Sequence, residues 1–377
     1  MTNESQLPQR VEGPRMIRTL TVEGYRGLQQ FTLDGLARVN LLVGSNNSGK
    51  TTVLEAIELL ATRMDLDALW RTLQRRVEQF PKDPDEGSGY ELDPCHLFYG
   101  HSLDPGIRFT LQATSAQVHS GVECSVVLMQ QELGQAELFA KELPSDALGL
   151  LIRDIETGNA ALHPLTKRGG LSERAVRFQR PPQPSELQGS RVRFISTESL
   201  SQQQAGFLWQ AVALSPEEEY AVDAMRAIDD RIERVAYVGS TRVRNRGGFV
   251  AKVRGHVNPI PLGSMGDGVW RLLVLALAAA SAQKGILLVD EIDTGLHHSV
   301  MEDMWRILAR IAARHGVQVF CTTHSNDCVH ALAAICRADS GRRPVASIQR
   351  LEHGEKKARS FTDQEIALVA ERNIEIR

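Results

Sequence analysis

The stretch LLVGSNNSGKTTVLEAI, residues 41–57, is an apolar run cut off by a glycine and followed by the start of a helical pattern. Within it, Gly44-Ser45-Asn46-Asn47-Ser48-Gly49-Lys50-Thr51 has the spacing G-x4-G-K-[ST]. The two glycines let the backbone curl until successive N–H groups face a common centre and meet phosphate oxygens there. The helix that begins at Thr51 adds its positive N-terminal end to the same centre. Lys50 would reach the β- and γ-phosphates of a nucleotide, and the Thr51 hydroxyl would ligand Mg²⁺.

Three other stretches supply what such a loop needs. ILLVDE, residues 286–291, reads as a fully buried strand ending in two acids. Asp290 is placed to hold magnesium, directly or through water, and Glu291 to polarise a water for attack on the γ-phosphate. Adjacent strand residues point to opposite sides, so the two carboxylates can serve two roles. Thr322-Thr323-His324-Ser325 ends the next apolar run, and His324 there can contact the γ-phosphate or the attacking water. PLGSMGDG, residues 261–268, is a small-residue turn opening another helix, able to present Ser264 and bare N–H groups to a second anion. Either it is an ordinary capped helix, or it closes on the γ-phosphate of a second copy of the chain.

The 377 residues suffice for one large domain or two ordinary ones, and 42% hydrophobic against 24% charged residues implies a real core and a polar surface. A net charge of −3 does not mark the whole chain as a nucleic-acid binder. The five cysteines form no CxxC pair and no cluster with histidines at zinc spacing, which suggests buried free thiols in a reducing compartment. The polar N-terminus lacks the apolar segment of a signal peptide, and the longest near-apolar stretch, 272–282, is short of the ~20 residues that span a bilayer. A cytoplasmic protein without a membrane partner is expected.

Strands are expected at 17–22, 39–43, 107–113 and 122–129, and helices at 51–63, around 131–155, from a Ser215 capping box to about 235, and at 268–283, 301–314 and 327–337. Proline- and glycine-rich stretches separate an N-terminal part of the head, 16–63, from a variable α+β insertion, 64–190, and a C-terminal part, 191–377. Residues 235–266 contain no acid but carry Arg242, Arg244, Arg246, Lys252 and Arg254, a segment suited either to phosphates or to neutralisation by the acidic helix before it. Strands alternating with helices around a phosphate loop argue for a mixed, mostly parallel α/β sheet flanked by helices.

In order and spacing, these four motifs resemble the ABC-type ATPase heads of the SMC and OLD (overcoming-lysogenization-defect) families. GSMGDGVWRLLVLALA, GILLVDEIDTGLHHS and FCTTHS look most like the bacterial OLD-type ATPases. The resemblance covers about 16–63 and 190–377 and implies an ABC/SMC-type P-loop ATPase head. It implies ATP and Mg²⁺ binding by Gly44, Ser45, Asn46, Asn47, Ser48, Gly49, Lys50, Thr51 and Thr52, with Arg26 beside the nucleotide. Ser264, Gly266, Asp267 and Gly268 would fill the signature positions, Asp290 would join Thr51 as metal ligand, and Glu291, His324 and Lys50 would be catalytic. Two positions depart from the pattern: His297 stands where an aspartate is usual, and no glutamine stands out among Gln112 and Gln202 to Gln204. Only 53 residues follow His324 and hold no DxD motif, so the appended TOPRIM nuclease of OLD enzymes is not expected. The implied partners are a second copy, in a homodimer or higher oligomer, and a separately encoded effector, a nuclease or toxin in anti-phage defence. A DNA-repair ATPase acting on DNA ends and an ATP-dependent scaffold with little turnover remain the alternatives.

Overall fold

The computed structural model describes residues 16–82, 89–115, 119–133, 144–172, 192–239, 248–338 and 346–371. The chain opens with the hairpin β1 (Thr19–Tyr25) and β2 (Leu28–Leu33), then enters β3 (Val39–Val43), α1 (Lys50–Ala61) and α2 (Leu66–Arg75). There follow β4 (Gln79–Pro81), β5 (Tyr90–Leu92), β6 (Arg108–Thr114), β7 (His119–Leu128), α3 (Met129–Leu133), β8 (Leu148–Asp154) and β9 (Ala160–Pro164). The rest of the chain begins with β10 (Val192–Ile195), α4 (Gln202–Val212), α5 (Pro216–Arg226), β11 (Ile232–Val238), β12 (Gly248–Val253) and β13 (Ile260–Pro261). It closes with α6 (Asp267–Ser281), β14 (Ile286–Val289), α7 (Met301–His315), β15 (Gln318–Thr322), α8 (Asn326–Ala338), β16 (Ala346–Arg350), β17 (Arg359–Thr362) and α9 (Asp363–Glu371).

VNLLV of β3 is buried at all five positions because it lies inside the six-stranded sheet β10-β14-β15-β3-β16-β17. All pairings in that sheet are parallel except the edge pair β16–β17. Alternation divides its side chains between two cores. Leu41, Leu287, Val289, Val319 and Cys321 belong to one core, with the apolar faces of α4 to α8. Leu42, Leu288 and Phe320 belong to the other, shared with α1, α2 and a second sheet, β2-β1-β6-β7-β8-β9, which is antiparallel throughout. The α/β class with a mostly parallel sheet flanked by helices is therefore what the chain forms. No helix among the described residues is long and apolar enough to cross a membrane.

The parallel sheet is fastened by polar side chains buried inside it. Asn40 is fully buried, yet its Oδ1 accepts from Ala37 N at 2.7 Å and Ser347 Oγ at 2.9 Å, and its Nδ2 donates to Ala37 O and Val319 O. Gln318 does the same for the chain entering β1, accepting from Ile17 N and donating to Ile17 O, each at 2.8 Å. Beside the local bonds to Ala37, Asn40 reaches Val319 and Ser347, 279 and 307 residues away, and Gln318 reaches Ile17, 301 residues away, so each amide closes a long loop of chain.

The expected elements at β3, α1, β6, β7, α6, β14, α7, β15 and α8 form within a few residues of their predicted bounds. The leucine-rich helix expected around 131–155 does not: after the short α3 the described chain continues as β8. Leu150 and Ile152 of β8 bury on one face, and β7 and β9 pair with its backbone, so neighbours override leucine's helical preference. The helix opened by Ser215 ends at Arg226, because Ile232 to Val238 pair with β12 instead. Its cap is also different: Ser215 Oγ accepts from Glu217 N, while Glu218 reaches Leu214 N. The reciprocal capping box occurs at Ser201 and Gln204. Strands β6 to β9, read as part of an insertion, continue the sheet that β1 and β2 begin. Four of the five cysteines are buried and Cys95 is partly exposed. Arg242, Arg244 and Arg246 lie outside the described residues, and Lys252 pairs with Glu233 at 3.4 Å.

Asn40→Ala would strand the Ala37 N–H and the Val319 carbonyl without their partner. Each buried group left unpaired costs about 1–3 kcal/mol, so the urea midpoint should fall substantially with an unchanged m-value.

Candidate functional site

The loop after β3 curls as its residue types require. Gly44 has φ +142° and Gly49 φ +94°, and a Cβ at Gly44 would lie 2.2 Å from Leu351 O. Asn47 adopts φ +61°, a left-handed conformation that asparagine tolerates better than most residues. Lys50 opens α1 and donates its ammonium to Gly44 O at 2.9 Å and Ser45 O at 2.7 Å. Burial lowers its pKa, while Asp290 and Glu291 oppose that shift.

The sheet order brings the other motifs here. β15 lies between β3 and β14, so the ends of the three strands open side by side. Asp290 is the junction: Thr51 Oγ1 lies 3.2 and 3.1 Å from its two oxygens, and Thr322 Oγ1 donates to Oδ1 at 2.6 Å. Glu291 follows in a left-handed conformation, φ +45°, that a non-glycine residue adopts only when its surroundings impose it. Here Thr322 Oγ1 accepts from Glu291 N at 2.8 Å, and Arg271 of α6 donates to the carbonyls of Asp290 and Glu291 at 3.0 and 2.9 Å. Arg271 is 3% exposed and also donates to Ser196 O. Burial lowers the pKa of its guanidinium, against the charges of Asp293, Asp290 and Glu291.

Together these groups line a cleft of about 250 Å³ formed by Asn46, Asn47, Ser48, Gly49, Lys50, Thr51 and Thr52 with Arg76, Asp290, Glu291, Thr322 and His324. Its chemistry is a cradle of N–H groups and one ammonium facing hard oxygen donors. Thr51 and Asp290 fit Mg²⁺, which takes few protein oxygens and keeps several waters. The Ser48 hydroxyl is buried and has no protein partner.

Other expected residues are placed elsewhere. Arg26, expected beside the nucleotide, does not line the cleft. It occupies the turn between β1 and β2 with φ +51°, is 4% exposed, and is claimed by two carboxylates: Glu55 at 2.9 Å and Glu78 at 2.5 Å. A buried guanidinium must be paired, and these two carboxylates pair it here. The arginine that does line the cleft, beside the Lys50 ammonium, is Arg76, which shares Glu55 at 2.8 Å and donates to Thr52 Oγ1 at 3.2 Å. Ser264, Gly266 and Asp267 are exposed at the start of α6 and take no part in the cleft of their own chain. Gly268 packs closely against Gly295 O. His297 caps a short turn through Ser299, Gln202 accepts from Phe249 N and Gln204 completes the box on α4. Sequence reading missed Arg76, Arg271 and Thr322. Thr322 stood inside the quoted TTHS motif, and buried Arg271 stood out as the lone cation in an otherwise apolar helix.

Residues 135–327 match the family described as "AAA domain, putative AbiEii toxin, Type IV TA system", and residues 16–91 match the family described as "AAA ATPase domain". An ATP/GTP phosphatase of Helicobacter pylori is 19% identical over 342 residues, which cover 85% of this chain and 89% of that one. The DNA replication and repair protein RecF of Acinetobacter baylyi is 48% identical over 46 residues, 12% of this chain and 13% of RecF. Among solved structures, an SMC head bound to the C-winged helix domain of ScpA aligns at 11% identity with TM-score 0.45, over 92% of this chain and 98% of that one. The SMC head domain of Thermotoga maritima aligns at 12% identity with TM-score 0.43, over 92% and 98%.

Arg271 touches only the backbone of the two acidic positions, so it acts by positioning them. Arg271→Lys, which replaces the two spread terminal nitrogens of the guanidinium fork by a single one, should lower kcat for ATP about tenfold or more. The nucleotide Kd should change little; an equal loss in both would mean that the substitution deforms the whole cleft.

Proposed function

The chain belongs to the AAA-domain family that its residues 135–327 match, and on that premise we propose that it hydrolyses ATP in a cleft completed by a second copy of itself. The observation that carries this reading is the division of the motifs. The phosphate loop, Asp290, Glu291 and His324 share one cleft, while Ser264, Gly266 and Asp267 face solvent from the start of α6. The cleft volume points the same way. About 250 Å³ falls below the ~300–1,000 Å³ of sites that enclose a whole small ligand. One chain therefore surrounds a triphosphate end, and a facing helix N-terminus from another copy would cover the rest.

Within the cleft, loop N–H groups and Lys50 neutralise the phosphates, and Arg76 adds charge from the side. Mg²⁺ held by Thr51 and Asp290 would supply charge neutralisation at the β- and γ-oxygens. Glu291 takes the proton of a water as that water's oxygen bonds to the γ-phosphorus. The bond from phosphorus to the β,γ-bridging oxygen breaks, releasing ADP and phosphate. His324, exposed at the end of β15 and lining the same cleft, contacts the γ-phosphate and reports its loss. Such a cycle is a switch: two copies hold together while ATP is intact and part after hydrolysis. What such a switch would control is a separately encoded effector, a nuclease or toxin in anti-phage defence. The family's description, which names a "putative AbiEii toxin" of a type IV toxin–antitoxin system, supports only a place in such a system. The RecF-like stretch favours one other reading, an ATPase stimulated by DNA ends.

Glu291→Gln should bind ATP-Mg²⁺, lose hydrolysis by about a hundredfold or more, and shift to twice the mass in light scattering only when ATP-Mg²⁺ is present. Wild-type hydrolysis in the variant would remove Glu291 as base, and ATP binding without a mass shift would remove the shared site. ATPase stimulation by linear DNA that falls steeply with salt would instead support the RecF-like reading.

A further inference from the structure

The segment after β5 contains a cluster that the ATP cleft does not use. Asp93 caps a single 3-10 turn, Pro94–Leu97, with Oδ1 accepting from Cys95 N at 3.0 Å. Its other oxygen, Oδ2, lies 3.7 Å from His96 Nε2. One donor atom each from Asp93, Cys95 and His96 lie within 4.8 Å of one another. His96 Nδ1 faces His101 Nδ1 at 3.2 Å, with the rings 5.2 Å apart and inclined at 62°.

We propose that Asp93, Cys95 and His96 form a binding site for a divalent transition-metal ion of the zinc class, with His101 orienting the His96 ring. Thiolate, imidazole and carboxylate together are a zinc-type donor set, softer than the all-oxygen pair Thr51 and Asp290. Bond lengths of ~2.0–2.3 Å put tetrahedral ligands ~3.3–3.8 Å apart, so modest side-chain rotations close the triad on an ion. Three protein donors leave a fourth position for water or another ligand. A ring proton on His96 Nδ1, donated to His101, leaves the Nε2 lone pair on the Asp93 side. Metal-bound histidines are held in this way by an outer partner on their second nitrogen.

A helix cap alone does not account for the arrangement. A cap needs Asp93 Oδ1 and Cys95 N, and neither an imidazole beside Oδ2 nor a second imidazole behind the first. Cys95 is also the one cysteine of the five that is not buried. The turn is pre-organised, since Asp93 N donates to Glu78 O at 2.9 Å, Arg26 N to Leu97 O at 2.9 Å and Tyr99 N to Gly24 O at 2.8 Å. The absence of CxxC spacing hid this site in the sequence, where its trace is D-x-C-H-x4-H, residues 93–101.

The test is a titration of the full chain, stripped with chelator and free of nucleotide, with Co²⁺ and then Zn²⁺. The wild type should bind one Co²⁺ per chain with a thiolate-to-cobalt charge-transfer absorption that Zn²⁺ abolishes. Cys95→Ser should lose that absorption, and His101→Gln should keep it while binding ~10–100-fold more weakly. Asp93→Asn keeps a good cap, so its metal-free melting temperature should stay unchanged while its affinity falls. Cobalt at Thr51 and Asp290 has no thiolate ligand and gives no such absorption. A wild type without charge transfer, or a Cys95→Ser variant with the wild-type spectrum, overturns the proposal.

Discussion

One carboxylate joins the parts of the chain that the cleft needs. Asp290, at the end of a strand encoded late, accepts hydrogen bonds from Thr51 at the start of α1 and from Thr322 at the end of β15. The backbone ladders keep the three strands in register, and this junction ties the phosphate-loop helix and the ends of β14 and β15 to one another at the cleft. The arrangement depends in turn on strand order. Because β15 lies between β3 and β14, Thr322 at its end can hold both acids that follow β14, Asp290 with its hydroxyl proton and Glu291 N with its oxygen lone pairs, while Thr51 reaches Asp290 from α1.

A second network runs from the antiparallel sheet to the cleft. Arg26 holds Glu55 and Glu78, and Glu55 also holds Arg76, which lines the site. Buried ion pairs add little stability over apolar packing, but losing one member is costly because the other charge is left uncompensated. What this network supplies is position: Glu55 lies on α1, five residues after Lys50, so the guanidinium that faces the cleft is fixed to the helix that carries the phosphate loop.

The elements that could be read from the sequence are those whose cause is local. β3, β14 and β15 are apolar runs buried on both faces, and α6, α7 and α8 repeat their apolar residues at helical spacing. The site residues grouped with the phosphate loop were legible because glycine, lysine and paired acids have few other reasons to occur in that pattern. β2 and β8 were not legible: LQQFTL looks like a connector until β1 lies beside it, and LGLLIRD looks helical until β7 and β9 flank it. Arg26, expected beside the nucleotide, does not line the cleft and Arg76, for which nothing was expected, does, for the same reason. Which arginine faces the cleft is decided by Glu55 on α1 and Glu78 just before β4, and no local spacing encodes that choice.

The pairing of β3 also has a consequence for how the protein is made. Its two hydrogen-bonded neighbours are β15 and β16, so the strand at residues 39–43 has no sheet to join until residues 318–322 and 346–350 leave the ribosome. At ~5–20 residues per second, that delay is about 15–60 s. For that interval the nascent chain carries VNLLV without either strand neighbour and with its Leu41 face lacking the late helices that cover it. The nucleotide cleft is thus among the last features to form during synthesis, and a chain halted before β15 carries the GSNNSGKT sequence without the sheet that shapes it.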